Sequence, residues 1–157
     1  MIESGVGGAV DWGLTSDRRV WLAKAGQLCA MRAQVHGWLA PLRLPEEVEH
    51  DLVLAVSEAA SNAVEHAYPP GGPDARVELA FWLAGGRLHI AVTDFGTWRP
   101  PPPGPRGRGF GLPMMGQLVE TVTIEHDARG TRVVLEHPLP RPAAHLTPVP
   151  DDGAEPR

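Results

Sequence analysis

Cysteine is nearly absent from this sequence: Cys29 stands alone, which excludes an internal disulfide and a thiolate metal site. A reducing compartment suits such a chain. Histidine does not fill the gap, because His36, His50, His89, His126 and His137 show no mutual ligand spacing, and no zinc site is expected. No segment approaches the ~20 apolar residues that span a bilayer, and the opening MIESGVGGAV lacks a basic stretch ahead of an apolar one. The expectation is a soluble, cytoplasmic protein with no membrane partner. A basic surplus is missing too: the formal net charge of -5 disfavours binding to a phosphate backbone, so nucleic acid is not an expected partner. No internal repeat is present.

What remains is an ordinary globular composition, 43% hydrophobic and 21% charged over 157 residues, enough for one domain with a full core. Proline is abundant, at 17 residues, and gathers between Pro100 and Pro105 and after Pro138. These clusters mark loops and edges. The expected organisation is a flexible N-terminus over 1–15, one domain over 16–137, and a disordered tail over 138–157.

Ser16 and Asp17 are placed to cap a helix whose apolar positions Val20, Leu22, Leu28, Met31, Val35 and Leu39 fall roughly on one face. A second helix starts near Pro45, with Glu46, Glu47 and Glu49 at the positive end of its dipole, and stops at the Pro69–Gly72 run. Alternation of Val77, Leu79, Phe81 and Leu83, then of Leu88, Ile90 and Val92 after Gly85-Gly86, predicts a hairpin. The stretch from Phe95 to Arg108 reads as a long loop, a lid or binding loop, and Gly111 to Leu118 as helical. A last hairpin is expected over Val119–Glu125 and Thr131–Glu136. Helices on one face of a mixed, mainly antiparallel sheet follow, a two-layer α+β sandwich. Trp12, Trp21, Trp38 and Trp82 are read as core or interface aromatics.

Three constellations carry chemistry. Glu58, Asn62 and His66 recur at i, i+4, so a carboxylate, an amide and an imidazole share one stripe of the second helix among small alanines. A solvated face would look the same, but an amide oxygen among small neighbours also suits Mg²⁺ that is shared with phosphates. Asp94-Phe-Gly96 follows the strand ending at Thr93, where a carboxylate can accept from an exocyclic amine or simply serve a turn. Gly107-Arg-Gly109-Phe-Gly111-Leu112 presents backbone N–H groups ahead of a helix, a phosphate-binding arrangement. It lacks the βαβ context of a dinucleotide fingerprint.

The order of these motifs, closed by a Gly-Thr before the final strand, resembles the N, G1, G2 and G3 boxes of the GHKL ATPases. The run from Ala55 to Tyr68, AVSEAASNAVEHAY, is especially similar to the anti-sigma-factor serine kinases. The resemblance covers about Ser16 to Glu136 and implies a Bergerat-type ATP-binding fold. It implies ATP and Mg²⁺ as cofactors, Asn62 as metal ligand, Glu58 as general base and Asp94 as the reader of the adenine amine. Gly96 would shape the adenine pocket, Gly107, Gly109, Gly111 and Leu112 would lie at the phosphates, and Thr131 would sit near the adenine. Arg106 and Arg108 add charge in the lid, where solvent exposure is an equal account. The implied reaction is γ-phosphoryl transfer to a Ser or Thr of a STAS-type antagonist, the implied partners are that antagonist and a sigma factor, and the implied assembly is a homodimer.

Two departures stand out. Trp98 occupies the place of the second G1 glycine, and Pro100 to Pro103 stiffen the lid. A partner-binding module without phosphoryl transfer is the alternative from another class, and a free-standing ATPase a third. His66 is read equally as a residue that orients the metal shell or as helix packing.

Overall fold

The computed structural model describes residues 16–69, 75–97 and 116–140. Strand β1 (Ser16–Leu22) leads into helices α1 (Leu28–Leu39) and α2 (Glu46–His66), then strands β2 (Arg76–Ala84), β3 (Arg87–Asp94), β4 (Thr121–Asp127) and β5 (Gly130–Pro138). The strands form one sheet in the order β1-β2-β3-β5-β4, and every described pairing is antiparallel. Both helices lie on one face. The expected two-layer α+β architecture is what the chain adopts.

The expected helix start at Ser16 is overturned. Residues Ser16–Leu22 are an edge strand paired with β2 from Ser16↔Trp82 to Leu22↔Arg76, and the first helix begins only at Leu28. Val20 and Leu22, each 52% exposed, lie on the outward side, while Trp21 packs against the core. Apolar residues on both sides of a strand can mimic helical spacing over so short a run. Strands β2, β3 and β5 follow their alternation, and the last hairpin is displaced by two residues, running from Thr121 to Pro138 in place of Val119 to Glu136. Beyond Pro138, the Leu139 N–H still bonds to the Gly86 carbonyl at 2.9 Å.

Helix α2 starts directly after Pro45, whose extended backbone cannot continue a helix backwards, and its first turn carries three glutamates that favour the dipole. Its buried stripe of Leu52, Val56, Ala59, Ala60 and Ala63 lies on the inward residues Val77, Leu79, Leu88, Ile90 and Val92 of the sheet. The alanines bring the C-terminal half of α2 close to the strands. Helix α1 packs beside α2, and its Trp38 ring stacks on Phe81 with centroids 5.6 Å apart.

The Trp38 indole N–H also donates to Asp17 Oδ2 at 3.1 Å, tying β1 to α1. That bond, and then the Arg18 backbone N–H, hold the Asp17 carboxyl below its ordinary 3.8. A pKa lowered in the folded state stabilises above the unfolded value, and that stabilisation is lost as pH falls through the folded value. The β1 amides are therefore expected to lose hydrogen-exchange protection earlier than those of β2 and β3 on acidification below 3.8. In Trp38→Phe this loss should begin at higher pH. Equal acid sensitivity of all three strands would refute the tie.

Candidate functional site

Strand periodicity decides where Asp94 points. Leu88, Ile90, Val92 and Asp94 occupy alternate positions of β3, so the carboxylate ends the row that faces the helices. Asp94 is 7% exposed, the one buried charged residue among those described. Its cross-strand neighbour on β5 is Thr131, which continues the inward row of Val133 and Leu135.

Asp94 Oδ1 accepts from the Gly96 N–H at 3.1 Å and from the Thr131 N–H at 3.3 Å. Both bonds fall on one oxygen, so Oδ2 has no hydrogen-bond partner among the described residues. Thr131 Oγ1 is buried and also without a partner. Buried polar atoms are normally paired, so the unpaired Thr131 hydroxyl, on the strand adjacent to Asp94 with its open Oδ2, marks a notch suited to a polar ligand. Burial pushes the Asp94 carboxyl above its ordinary 3.8, and the two N–H donors only partly offset this. A cavity of about 240 Å³ opens at this end of the sheet, lined by Thr93, Asp94 and Phe95 and by the end of the β4–β5 hairpin, and by no residue of α2.

Gly96 joins this notch to α2. A Cβ on Gly96 would fall on the Ala67 carbonyl oxygen, 2.6 Å from its carbon and 3.0 Å from the Ala67 Cβ. The next residue, Thr97, donates its N–H to that same carbonyl at 3.0 Å. Counting back from Ala67 at 1.5 Å per residue puts Asn62 about 7.5 Å and Glu58 about 13.5 Å up the helix axis. Both are half-buried and make no side-chain hydrogen bond among the described residues. His66 is exposed, with Nε2 3.6 Å from Glu65 Oε2. It faces a neighbouring carboxylate, not Asn62.

The structure thus brings Asp94, Gly96 and Thr131 together and places Glu58 and Asn62 on the helix that abuts them. Trp98, Arg106, Gly107, Arg108, Gly109, Gly111 and Leu112 lie outside the described residues. No group of three or more His, Cys, Asp or Glu side chains among the described residues is arranged to hold a metal ion. No described helix is long and apolar enough to cross a membrane. Two participants had no role on sequence grounds. Gly130, at φ +143, lies so close to Asp94 that a Cβ there would come within 2.8 Å of the Phe95 Cα. The hydroxyl of Tyr68 accepts from the Phe95 N–H at 2.8 Å and donates to the Arg76 carbonyl. The Gly-Thr that opens β5 hinted at the first, whereas the second closes the run from Ala55 to Tyr68 but bonds only to backbone groups, which no motif specifies.

Two helices on one face of an antiparallel sheet, with a buried aspartate closing the central strand, define the α+β fold of the GHKL ATPases. Residues 21–136 match the model of the histidine kinase-like ATPase domain, and the chain belongs to that family. It is 50% identical over 52 residues to the serine-protein kinase RsbW of Bacillus pumilus (strain SAFR-032), covering 32% of each chain. The solved structure of the RsbU and RsbW domains of Rv1364c from Mycobacterium tuberculosis superposes with a TM-score of 0.66. Identity there is 32%, over 85% of this chain and 35% of that one. The chain spans about a third of the length of each of these relatives. The histidine kinase domain of the blue-light activated histidine kinase from Erythrobacter litoralis EL346 is similar in fold alone. Its TM-score is 0.54 at 23% identity, over 73% of this chain and 60% of that one. Both RsbW likenesses agree with the anti-sigma-factor kinase resemblance carried by the motifs.

Proposed function

We propose that this chain binds ATP and Mg²⁺, transfers the γ-phosphoryl group to a Ser or Thr hydroxyl of a STAS-type antagonist, and holds a sigma factor as a homodimer when that antagonist is phosphorylated. The observation that carries this reading is the buried, unpaired Thr131 hydroxyl on the strand adjacent to Asp94, whose Oδ2 accepts no hydrogen bond among the described residues. An ionised carboxylate accepts from the exocyclic amine of adenine, and a hydroxyl beside it can donate to the ring nitrogen next to that amine. A 6-oxo purine would set an acceptor against the carboxylate, so the pair favours adenine.

The Asn62 amide oxygen would hold Mg²⁺, which offsets charge on the phosphates when bound. Glu58, one turn further from the notch, would take the proton from the attacking hydroxyl. That oxygen bonds to the γ-phosphorus as the bond to the β–γ bridging oxygen breaks, and ADP leaves.

The test is transfer of γ-labelled phosphate to a cognate antagonist. Glu58→Gln should slow transfer by roughly 10²–10⁴-fold while ATP still binds, and Asn62→Ala should remove the Mg²⁺ dependence of that binding. Undiminished transfer in Glu58→Gln would eliminate it as the base. Trp98 in place of a glycine favours a second reading, a module that sequesters its partner without transferring phosphate. Nucleotide binding with no labelled antagonist would select that reading, and phosphate release without an acceptor would select a free-standing ATPase.

A further inference from the structure

We infer that Tyr68 is a positioning residue for base recognition: its hydroxyl fastens the turn bearing Asp94 and Gly96 to the end of α2, and so fixes the base-reading carboxylate relative to Glu58 and Asn62. The inference rests on the assignment of Asp94 to the base.

A phenol can donate once and accept up to twice, and Tyr68 uses both capacities on backbone groups. It donates to the carbonyl of Arg76, where β2 begins, and accepts from the N–H of Phe95, the first residue beyond β3, at 2.8 Å. The same two residues meet through their side chains, since the Arg76 guanidinium lies over the Phe95 ring at 5.6 Å. One position back, the Ala67 carbonyl accepts from Thr97 and blocks any side chain at Gly96. Phe95 is thus bonded to Tyr68 and Thr97 to Ala67, with Gly96 packed against Ala67 between them, directly after the helix that carries Glu58 and Asn62.

Removal of the hydroxyl strips the Phe95 N–H of its partner and leaves the backbone of the turn held by the hydrogen bonds of Thr97 and of Asp94 Oδ1. The carboxylate then gains freedom to rotate away from an incoming amine. Packing at the helix end would be preserved by phenylalanine, so a purely structural tyrosine predicts lower stability with base choice intact.

The experiment uses the full chain with Tyr68→Phe. Affinities for ATP and for inosine triphosphate, which carries an oxo group in place of the amine, are measured by calorimetric titration alongside exchange of the Phe95 amide. The expected result is an ATP affinity lowered about tenfold, the scale of one net hydrogen bond. Inosine triphosphate should bind nearly as before, so the preference for ATP collapses, and the Phe95 amide should lose protection. Trp38→Phe, which loses a hydrogen bond between β1 and α1 instead, serves as the stability control and should retain the preference. A Tyr68→Phe protein with the wild-type ratio and a protected Phe95 amide would overturn this inference alone. A wild type that binds both nucleotides equally would overturn the Asp94 assignment and this inference with it.

Discussion

Gly96→Ala is expected to abolish nucleotide binding and to lower the free energy of unfolding by about 1–3 kcal/mol or more, the range of forced overpacking. The added methyl would meet the Ala67 carbonyl, a backbone group that cannot turn aside, with the carbon only 2.6 Å away. Relief requires the end of α2 to part from the turn after β3, which also breaks the Thr97 hydrogen bond to Ala67. Gly37→Ala is the contrast: it lies inside α1 with nothing within 4 Å of its Cβ position. That variant should gain about 1 kcal/mol from helix propensity. Denaturant unfolding and ATP titration of both proteins check the pair, and a Gly96→Ala protein as stable and as active in binding as wild type would disprove the close approach.

Asp94→Asn should separate stability from binding. The folded-state pKa of Asp94 is raised, chiefly because burial penalises the charged form. For a carboxyl shifted upward, the favourable contribution is complete below the unfolded value and disappears as pH rises through the folded one. At neutral pH the wild type therefore carries a buried charge at a net cost, and the amide, whose oxygen can still accept from Gly96 and Thr131, removes it. The melting temperature of Asp94→Asn should exceed that of wild type at pH near 7, and the difference should vanish below 3.8, where both side chains are neutral. ATP affinity should nevertheless fall roughly 10- to 100-fold, the value of a charge-assisted hydrogen bond of about 1.5–3 kcal/mol. In the wild type, acidification should weaken ATP binding at a pH above the usual aspartate range. A variant that melts lower at neutral pH, or binds ATP unchanged, contradicts the assignment.

Much of this arrangement could be read from residue order because it follows from periodicity. Alternation from Leu88 to Val92 extends to Asp94 and fixes its face, and four-residue spacing sets Glu58 above Asn62 on a helix whose alanines mark the buried side. Ser16–Leu22 misled because an edge strand pairs on one side only and tolerates apolar residues on its outer face, which blurs the two-residue rhythm. His66 shares the stripe with Asn62 in sequence, yet at the helix end it is exposed and turns to Glu65. Tyr68 closes the run that begins at Ala55, yet its role is not legible there for a different reason: its partners are a carbonyl and an amide, groups that nearly every residue carries. The tight approach of Gly96 to Ala67 joins two segments far apart in the chain, and no local pattern announces it.

Among the described elements, strand β1 leaves the ribosome first, yet its register runs along β2, with Ser16 opposite Trp82. The β2–β3 hairpin closes through adjacent residues, from Ala84↔Arg87 outward, and can zip as soon as it is synthesised. The N-terminal segment must wait for that hairpin and then join the growing sheet by a long-range closure, the slower kind of step. The pairing of β1 thereby depends on a strand made more than fifty residues later.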